Sequence, residues 1–133
     1  MIKSLDISSS ALTAQRIRLD VIAENIANAE VTRQDDGRRV PYQRRFVTFM
    51  SGDGAGGAGV HVDAVRPDGV SQFKQKYDPG HPDAGPNGMV QLPNVSVTME
   101  YVDAMTASRA YEANAAMMTV TRGMIQRAIQ LLA

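Results

Sequence analysis

The sequence predicts a mainly α fold with a small β portion, an α+β chain. Its N- and C-terminal helices should pair as a coiled coil, with an extended or β-hairpin insert between them. Two observations predict this. Apolar residues recur every three and four positions at both ends of the 133-residue chain, the spacing of one helix face. The middle is instead rich in Gly, Pro and charged residues. We therefore divide the chain into an N-terminal helical part (1–32), an insert (33–93) and a C-terminal helical part (94–133).

The N-terminal helix is predicted from one apolar row and a possible cap. Asp6 or Ser8 is expected to cap it, because a short side-chain oxygen can accept from an unpaired backbone N–H. The helix should then run to about Ala29. The row consists of Leu5, Leu12, Gln15, Leu19, Ile22, Ile26 and Ala29.

The insert combines short β-forming stretches with turn sequences. Residues 38–50 are rich in β-branched and aromatic side chains, and apolar residues alternate over 60–64. A further strand is expected over 70–77, after a Pro-Asp-Gly turn. Five of the nine residues in 51–59 are glycine, and no Gly-Lys-Ser/Thr follows. This segment is therefore predicted to be a flexible loop and not a phosphate-binding loop.

The C-terminal helix is predicted to begin after Pro93-Asn94, with Ser96 as its N-cap. It would be about 50 Å long, which is more than a compact domain of this size needs, so it should project beyond the rest of the domain. A first row comprises Val97, Tyr101, Ala104, Ser108, Tyr111, Ala115, Met118, Arg122, Ile125, Ile129 and Leu132. A second row comprises Ala110, Ala113, Met117, Val120, Met124, Ala128 and Leu131. Two rows predict two packing partners, either in an ordinary two-helix core or in a coiled coil between chain ends or subunits.

The composition favours assembly over a freestanding monomer. Trp is absent, Phe and Tyr together number seven, and much of the hydrophobic fraction is Ala, whose burial removes little apolar surface from water. Subunits with so thin a core commonly complete it on a neighbour. The sequence has no long apolar segment, near the N-terminus or elsewhere. We therefore expect neither a cleaved signal peptide nor a membrane span.

Catalytic, cofactor and metal sites are not expected. The absence of Cys excludes a thiolate zinc site and a Cys nucleophile, and no acid/base pair or triad can be argued from the spacing. Residues 77–88 place His81 near Asp78 and Asp83, but they lack the spacing of an EF-hand. We interpret this segment as a turn and expect neither metal nor cofactor.

A basic stretch leaves a second class of function open. Arg38, Arg39, Arg44 and Arg45 are interleaved with Tyr42 and Phe46, as in a small nucleic-acid-binding module. The alternatives are a solvated strand face or contact with an acidic partner. Because formal net charge is zero, we expect no binding of nucleic acid. Of the alternatives, we predict that acidic groups of a neighbouring subunit contact Arg44 and Arg45.

Several runs resemble the bacterial flagellar rod and hook protein family. The run 11–29, with paired Asn around an Ile-Ala step, is similar to the family's N-terminal signature. Runs over 77–84, 93–95 and 108–114 resemble one of its members, a subunit of the proximal rod. The resemblance covers nearly the whole chain; another proximal-rod or hook-family axial protein is the close alternative.

The resemblance implies a structural subunit of the rod, the drive shaft that crosses the periplasm and transmits torque. Implied partners are further copies, other proximal and distal rod subunits, the MS-ring and its rod adaptor protein. Such proteins are exported uncleaved by the flagellar type III apparatus. From the apolar rows and the resemblance together we expect assembly contacts from Leu12, Leu19, Ile22, Asn25, Ile26, Asn28, Arg44, Arg45, Arg109, Tyr111, Asn114, Ala115, Met118, Ile125 and Ile129.

Overall fold

The computed structural model describes residues 2–52 and 57–133 and contains two long helices and four short strands. The elements are α1 (Ile2–Ala27), β1 (Arg45–Ser51), β2 (Val60–Pro67), β3 (Lys74–Tyr77), β4 (Met89–Leu92) and α2 (Val97–Leu132). The predicted α+β class, with a β insert between terminal helices, is confirmed.

The two helices pack against each other in antiparallel directions. Asn25, near the end of α1, contacts Glu100, near the start of α2, and the earlier Arg18 lies beside the later Asp103. Helix α1 also packs against both strands of the first hairpin. It therefore lies between its partner helix and the insert.

The predicted start of α1 is wrong, since the helix already begins at Ile2 and contains Asp6 and Ser8. Hydroxyl groups here do not end the helix. Ser10 donates to the carbonyl of Ile7 at 2.7 Å, so the hydroxyl is satisfied inside the helix. At the other end α1 stops at Ala27, two residues before the expected Ala29.

The predicted start of α2 is confirmed, with Ser96 at the N-cap position in an extended conformation. Its side chain makes no capping hydrogen bond, so the helix start is held by other contacts. These come from Glu100, a first-turn carboxylate that is fully buried.

The insert forms two separate antiparallel hairpins. β1 pairs with β2, with a register shift between Thr48 and Phe49, and β3 pairs with β4. The strand expected over 70–77 is present from Lys74, but its partner β4 was not predicted. The predicted flexible loop at 51–59 includes residues 53–56, which lie outside the described residues.

The described chain has a thin core. Its buried apolar residues, from both helices and the insert, are Ala14, Val21, Ile22, Val90, Val95 and Ala107. Neither described helix is apolar over a stretch long enough to cross a membrane. Much of the large apolar surface, above all on α2, remains exposed.

Candidate assembly interface

A buried polar cluster joins the insert to both helices, and we call its members Asn25, Tyr42, Arg44, Asn94 and Glu100 the polar junction. Asn25 is fully buried and uses both ends of its amide. Its Oδ1 accepts from the Tyr42 hydroxyl at 3.0 Å and the Arg45 N–H at 2.9 Å. Its Nδ2 donates to the Arg45 carbonyl at 2.8 Å and to Glu100 Oε2 at 3.1 Å. All four hydrogen-bonding positions of the amide are therefore satisfied.

The buried carboxylate of the polar junction is paired with a guanidinium. Arg44 Nε lies 2.5 Å from Glu100 Oε1, and Arg44 Nη2 lies 3.4 Å from Asp103 Oδ2. A buried carboxylate is tolerated only when paired and hydrogen-bonded in this way. Burial, with the nearby carboxylates of Glu24 and Glu100, raises the pKa of Tyr42. The Tyr42 phenol therefore stays protonated and remains a donor to Asn25.

Asn94 ties the polar junction to the turn after β2. Its Oδ1 accepts from the Arg44 N–H at 2.8 Å. Its Nδ2 donates to the carbonyls of Asp68, at 3.2 Å, and Ser71, at 3.1 Å. The Asp68 N–H in turn donates to the Arg44 carbonyl at 2.7 Å. The turn is consequently fixed relative to the helices.

The segment 77–88, which contains His81, Asp78 and Asp83, contacts the residues that follow α1. Asp83 accepts from the Thr32 hydroxyl at 2.8 Å and from Arg33, whose hydrogen bonds hold the pKa of Asp83 below its usual value. The Asp83 N–H donates to His81 Nδ1 at 3.0 Å. Across residues 2–52 and 57–133, no three His, Asp or Glu side chains are grouped so as to hold a metal ion.

The basic stretch is neutralised largely within the chain. Arg38 pairs with Asp36, and Arg39 lies 3.9 Å from Asp83. Arg45 Nη1 lies 3.2 Å from Glu24 Oε1. With Arg44 held by Glu100, all four arginines have acidic neighbours, an arrangement that does not favour a nucleic-acid surface.

Helix α2 presents exposed apolar residues on the side away from α1. The buried Glu100 and Ala107 mark its inner side, and residues roughly half a turn away face outward. Met117, Val120 and Met124 are each more than half exposed. We call this surface the outer stripe; it comprises Val102, Met105, Met117, Val120, Met124 and Leu131.

Helix α2 continues beyond the end of the helix pair. From the Asn25–Glu100 contact, α1 runs back to Ile2 and α2 runs on to Leu132. On that side α2 is longer by about nine residues, or about 14 Å. In this distal end Ile129 is 61% exposed and Leu132 is 89% exposed, as expected for a helix whose partner has ended.

The structure separates the expected assembly residues by exposure. Buried within the chain are Ile22 and Asn25. Half-buried are Leu12, Leu19, Ile26, Asn28, Arg44, Asn114, Ala115, Met118 and Ile125. Exposed are Arg45, Arg109, Tyr111 and Ile129. The chain itself therefore supplies the contacts of the first pair, while the last four remain open to another molecule.

Two features of the site were not predicted from the sequence. Arg44 binds acidic groups of its own chain, because the first turn of α2 brings Glu100 against the start of β1. The expected contact of Arg44 and Arg45 with a neighbour's acidic groups stays a prediction. Glu100 is not among the site residues predicted from the sequence. Its spacing from the inward-facing Ala104 and Ala107 is the signal that would have placed it inside.

The chain has paired terminal helices and an exposed apolar stripe on one of them. This arrangement is typical of the class of subunits that complete their packing on neighbours. The family model of the flagella basal body rod protein matches residues 5–33, and that of the flagellar basal body rod FlgEFG protein C-terminal matches residues 87–131. Both models thus fall on the parts of the chain that carry the two helices.

Curated relatives match along nearly the full length. The chain is 42% identical to the flagellar basal-body rod protein FlgC of Bacillus subtilis, with 96% of this chain and 95% of that protein covered. It is 38% identical to FlgC of Borreliella burgdorferi, covering 99% and 97%, and 38% identical to FlgC of Escherichia coli O6:H1, covering 98% and 97%. The chain belongs to the FlgC family of flagellar basal-body rod proteins.

Proposed function

We propose that this chain is a structural, non-catalytic subunit of the flagellar basal-body rod and associates with other rod components. Within the rod it polymerises through its terminal helices into the tubular proximal part, which transmits torque. The outer stripe of α2 is the observation that carries this proposal, because its apolar side chains remain about half exposed or more within the described chain. Each subunit gains burial by placing this stripe against a neighbour.

The two sides of α2 make different contacts in this proposal. The inner side packs on α1 and keeps the subunit folded, while the outer stripe and the distal end dock on neighbouring subunits. Of the expected contacts, Arg109 faces away from the buried Ala107 and Ile129 lies in the distal end, and both are exposed, which supports this division. Repeated by a screw operation, such a contact generates a tube.

The finer assignments follow from the resemblance. We propose that the subunit reaches the periplasm through the flagellar type III apparatus without a cleaved signal peptide, and that it contacts the MS-ring and its rod adaptor as well as other proximal and distal rod subunits. We also propose that the parts 1–32 and 94–133 form the assembling domain and that 33–93 makes contacts between neighbours.

A charge in the outer stripe tests the proposal. Val120→Asp places a carboxylate at a position 57% exposed in the single chain, so the stability of the monomer should change little. Burying that carboxylate against a neighbour is strongly unfavourable, and rods should be absent. Motility and the yield of purified basal bodies measure this outcome.

The matched control is Thr119→Asp, a substitution at the adjacent exposed residue outside the stripe. It should leave motility intact. Normal rods with Val120→Asp, or equal loss of rods with both variants, would contradict a role for the outer stripe.

A further inference from the structure

One apolar side chain of the insert is displayed to solvent on a rigid turn. Val70 is 93% exposed, more than any other large apolar residue of the described chain. Asp68 Oδ1 accepts from the N–H groups of Val70 and Ser71, each at 3.1 Å. These hydrogen bonds lower the pKa of Asp68, so a charged carboxylate stands beside the bare valine. We call residues 68–71 the Val70 turn.

The Val70 turn is anchored at several points to the rest of the subunit. The carbonyl of Asp68 accepts from Gln43 Nε2 at 2.8 Å and from Asn94 Nδ2 at 3.2 Å. Asn94 belongs to the polar junction and is itself buried. A partner that binds this turn does not have to order it first, which removes an entropic cost of association.

The same chain carries a concave surface of complementary chemistry. A groove of about 290 Å³ lies between α1, β1 and the start of α2, and we call it the hairpin groove. Its wall includes Ile22, Phe46 and Phe49, the two aromatic side chains being 37% and 39% exposed. Arg18 and Arg45 also line it, and Arg45 is half exposed. The carboxylates of Glu100 and Asp103 line the groove as well. Arg45 binds Glu24 through Nη1, so other N–H groups of its guanidinium can still donate, and the groove offers apolar surface next to this half-exposed donor.

We propose that the Val70 turn of one subunit inserts into the hairpin groove of a second copy of this chain. Val70 would cover Phe46 and Phe49, and the Asp68 carboxylate would lie near Arg45. Since the turn and the groove are different surfaces, the contact is heterologous and passes from each copy to the next. The inference rests on the proposed self-association in the rod and assigns the insert its part in it.

Cross-linking of cysteine variants tests the contact directly, because the chain contains no cysteine. Flagellated cells would produce the Val70→Cys chain together with an epitope-tagged Phe49→Cys chain and then be treated with a mild oxidant. We expect a disulfide-linked pair containing one tagged and one untagged chain. The control replaces Val70→Cys by Val40→Cys, another exposed valine, which should give at least tenfold less of this product.

Every other cross-linking result overturns the inference. Products joining two Val70→Cys chains would indicate a symmetric contact. A product with a different basal-body protein would identify another partner for the turn. No product above the Val40→Cys control would show that the turn is not in the groove.

A second variant separates this inference from the proposed function. Val70→Ser should leave the unfolding midpoint of the purified subunit unchanged, since the side chain has almost no intrachain cover, and lower the yield of basal bodies several-fold. Full basal-body yield with Val70→Ser would overturn the contact. If Val120→Asp still abolishes rods in that case, the proposed rod function stands without it.

Discussion

The two ends of the helix pair are built differently. At the end next to the insert, Asn25 and Glu100 are fully buried and satisfied by hydrogen bonds from α1, the insert and α2. At the distal end α2 continues past α1 with Leu131 and Leu132 almost fully exposed. The first end holds the subunit together by itself, whereas the second has surface to bury. The difference separates the end whose packing is completed within one chain from the end that leaves apolar surface exposed.

The largest expected effect comes from breaking the polar junction. Glu100→Ala leaves Arg44 and Asn25 without their shared carboxylate and should lower the free energy of unfolding by about 3 kcal/mol. This is the lower end of the range for such a loss, because Arg44 keeps Asp103 as a partner. Urea unfolding of the purified subunit, followed by circular dichroism, measures it.

The control for this variant is Glu112→Ala, which removes an exposed carboxylate from the same helix. Its effect should stay within about 0.5 kcal/mol. Similar unfolding midpoints for the two variants would mean that the polar junction does not hold this end of the pair.

A smaller effect of opposite sign is expected toward the distal end. A Cβ built on Gly123 meets no atom within 4 Å, so Gly123→Ala should stabilise α2 by about 0.5–1 kcal/mol through helix propensity. By contrast, Gly59 has a φ of +130°, and a Cβ built on it would lie 2.7 Å from Ser10 Oγ. Gly59→Ala should therefore destabilise the folded subunit. Thermal unfolding of the monomer compares them, and loss of stability with Gly123→Ala would reveal intrachain packing at the distal end.

The smallest expected effect is the pH dependence of the Asp83 contact with Arg33. These hydrogen bonds lower the pKa of Asp83 in the folded chain. They therefore stabilise the folded chain fully at pH values above the pKa of the unfolded chain, about 4. That contribution is lost as pH falls through the lower folded value. Asp83→Asn should therefore flatten the acid limb of the stability curve.

The control for the acid limb is Asp35→Asn, at an exposed acid of the neighbouring segment. Stability is measured by urea unfolding between pH 7 and pH 3 for the wild type and both variants. An acid limb as steep in Asp83→Asn as in the wild type would rule out a contribution from the Asp83 contact.

The sequence by itself determined the two helices, the Ser96 start of α2 and the second apolar row, which the structure leaves largely exposed. These features depend on residues three or four apart, and a local period is legible without knowing the fold. It also indicated most of the β regions, but the pairing of β3 with β4 depended on a short strand with little pattern of its own.

Only the tertiary structure decided what the polar residues do. Asn25 and Glu100 are 75 positions apart in sequence, and Arg44 and Glu100 are 56 apart. No period links such residues, because their contact arises when the antiparallel helices and the insert pack together. Asn25 and Arg44 make hydrogen bonds within the chain that the sequence did not predict, since a buried polar group takes the nearest partner that packing supplies. Their expected place at an interface between subunits stays a prediction.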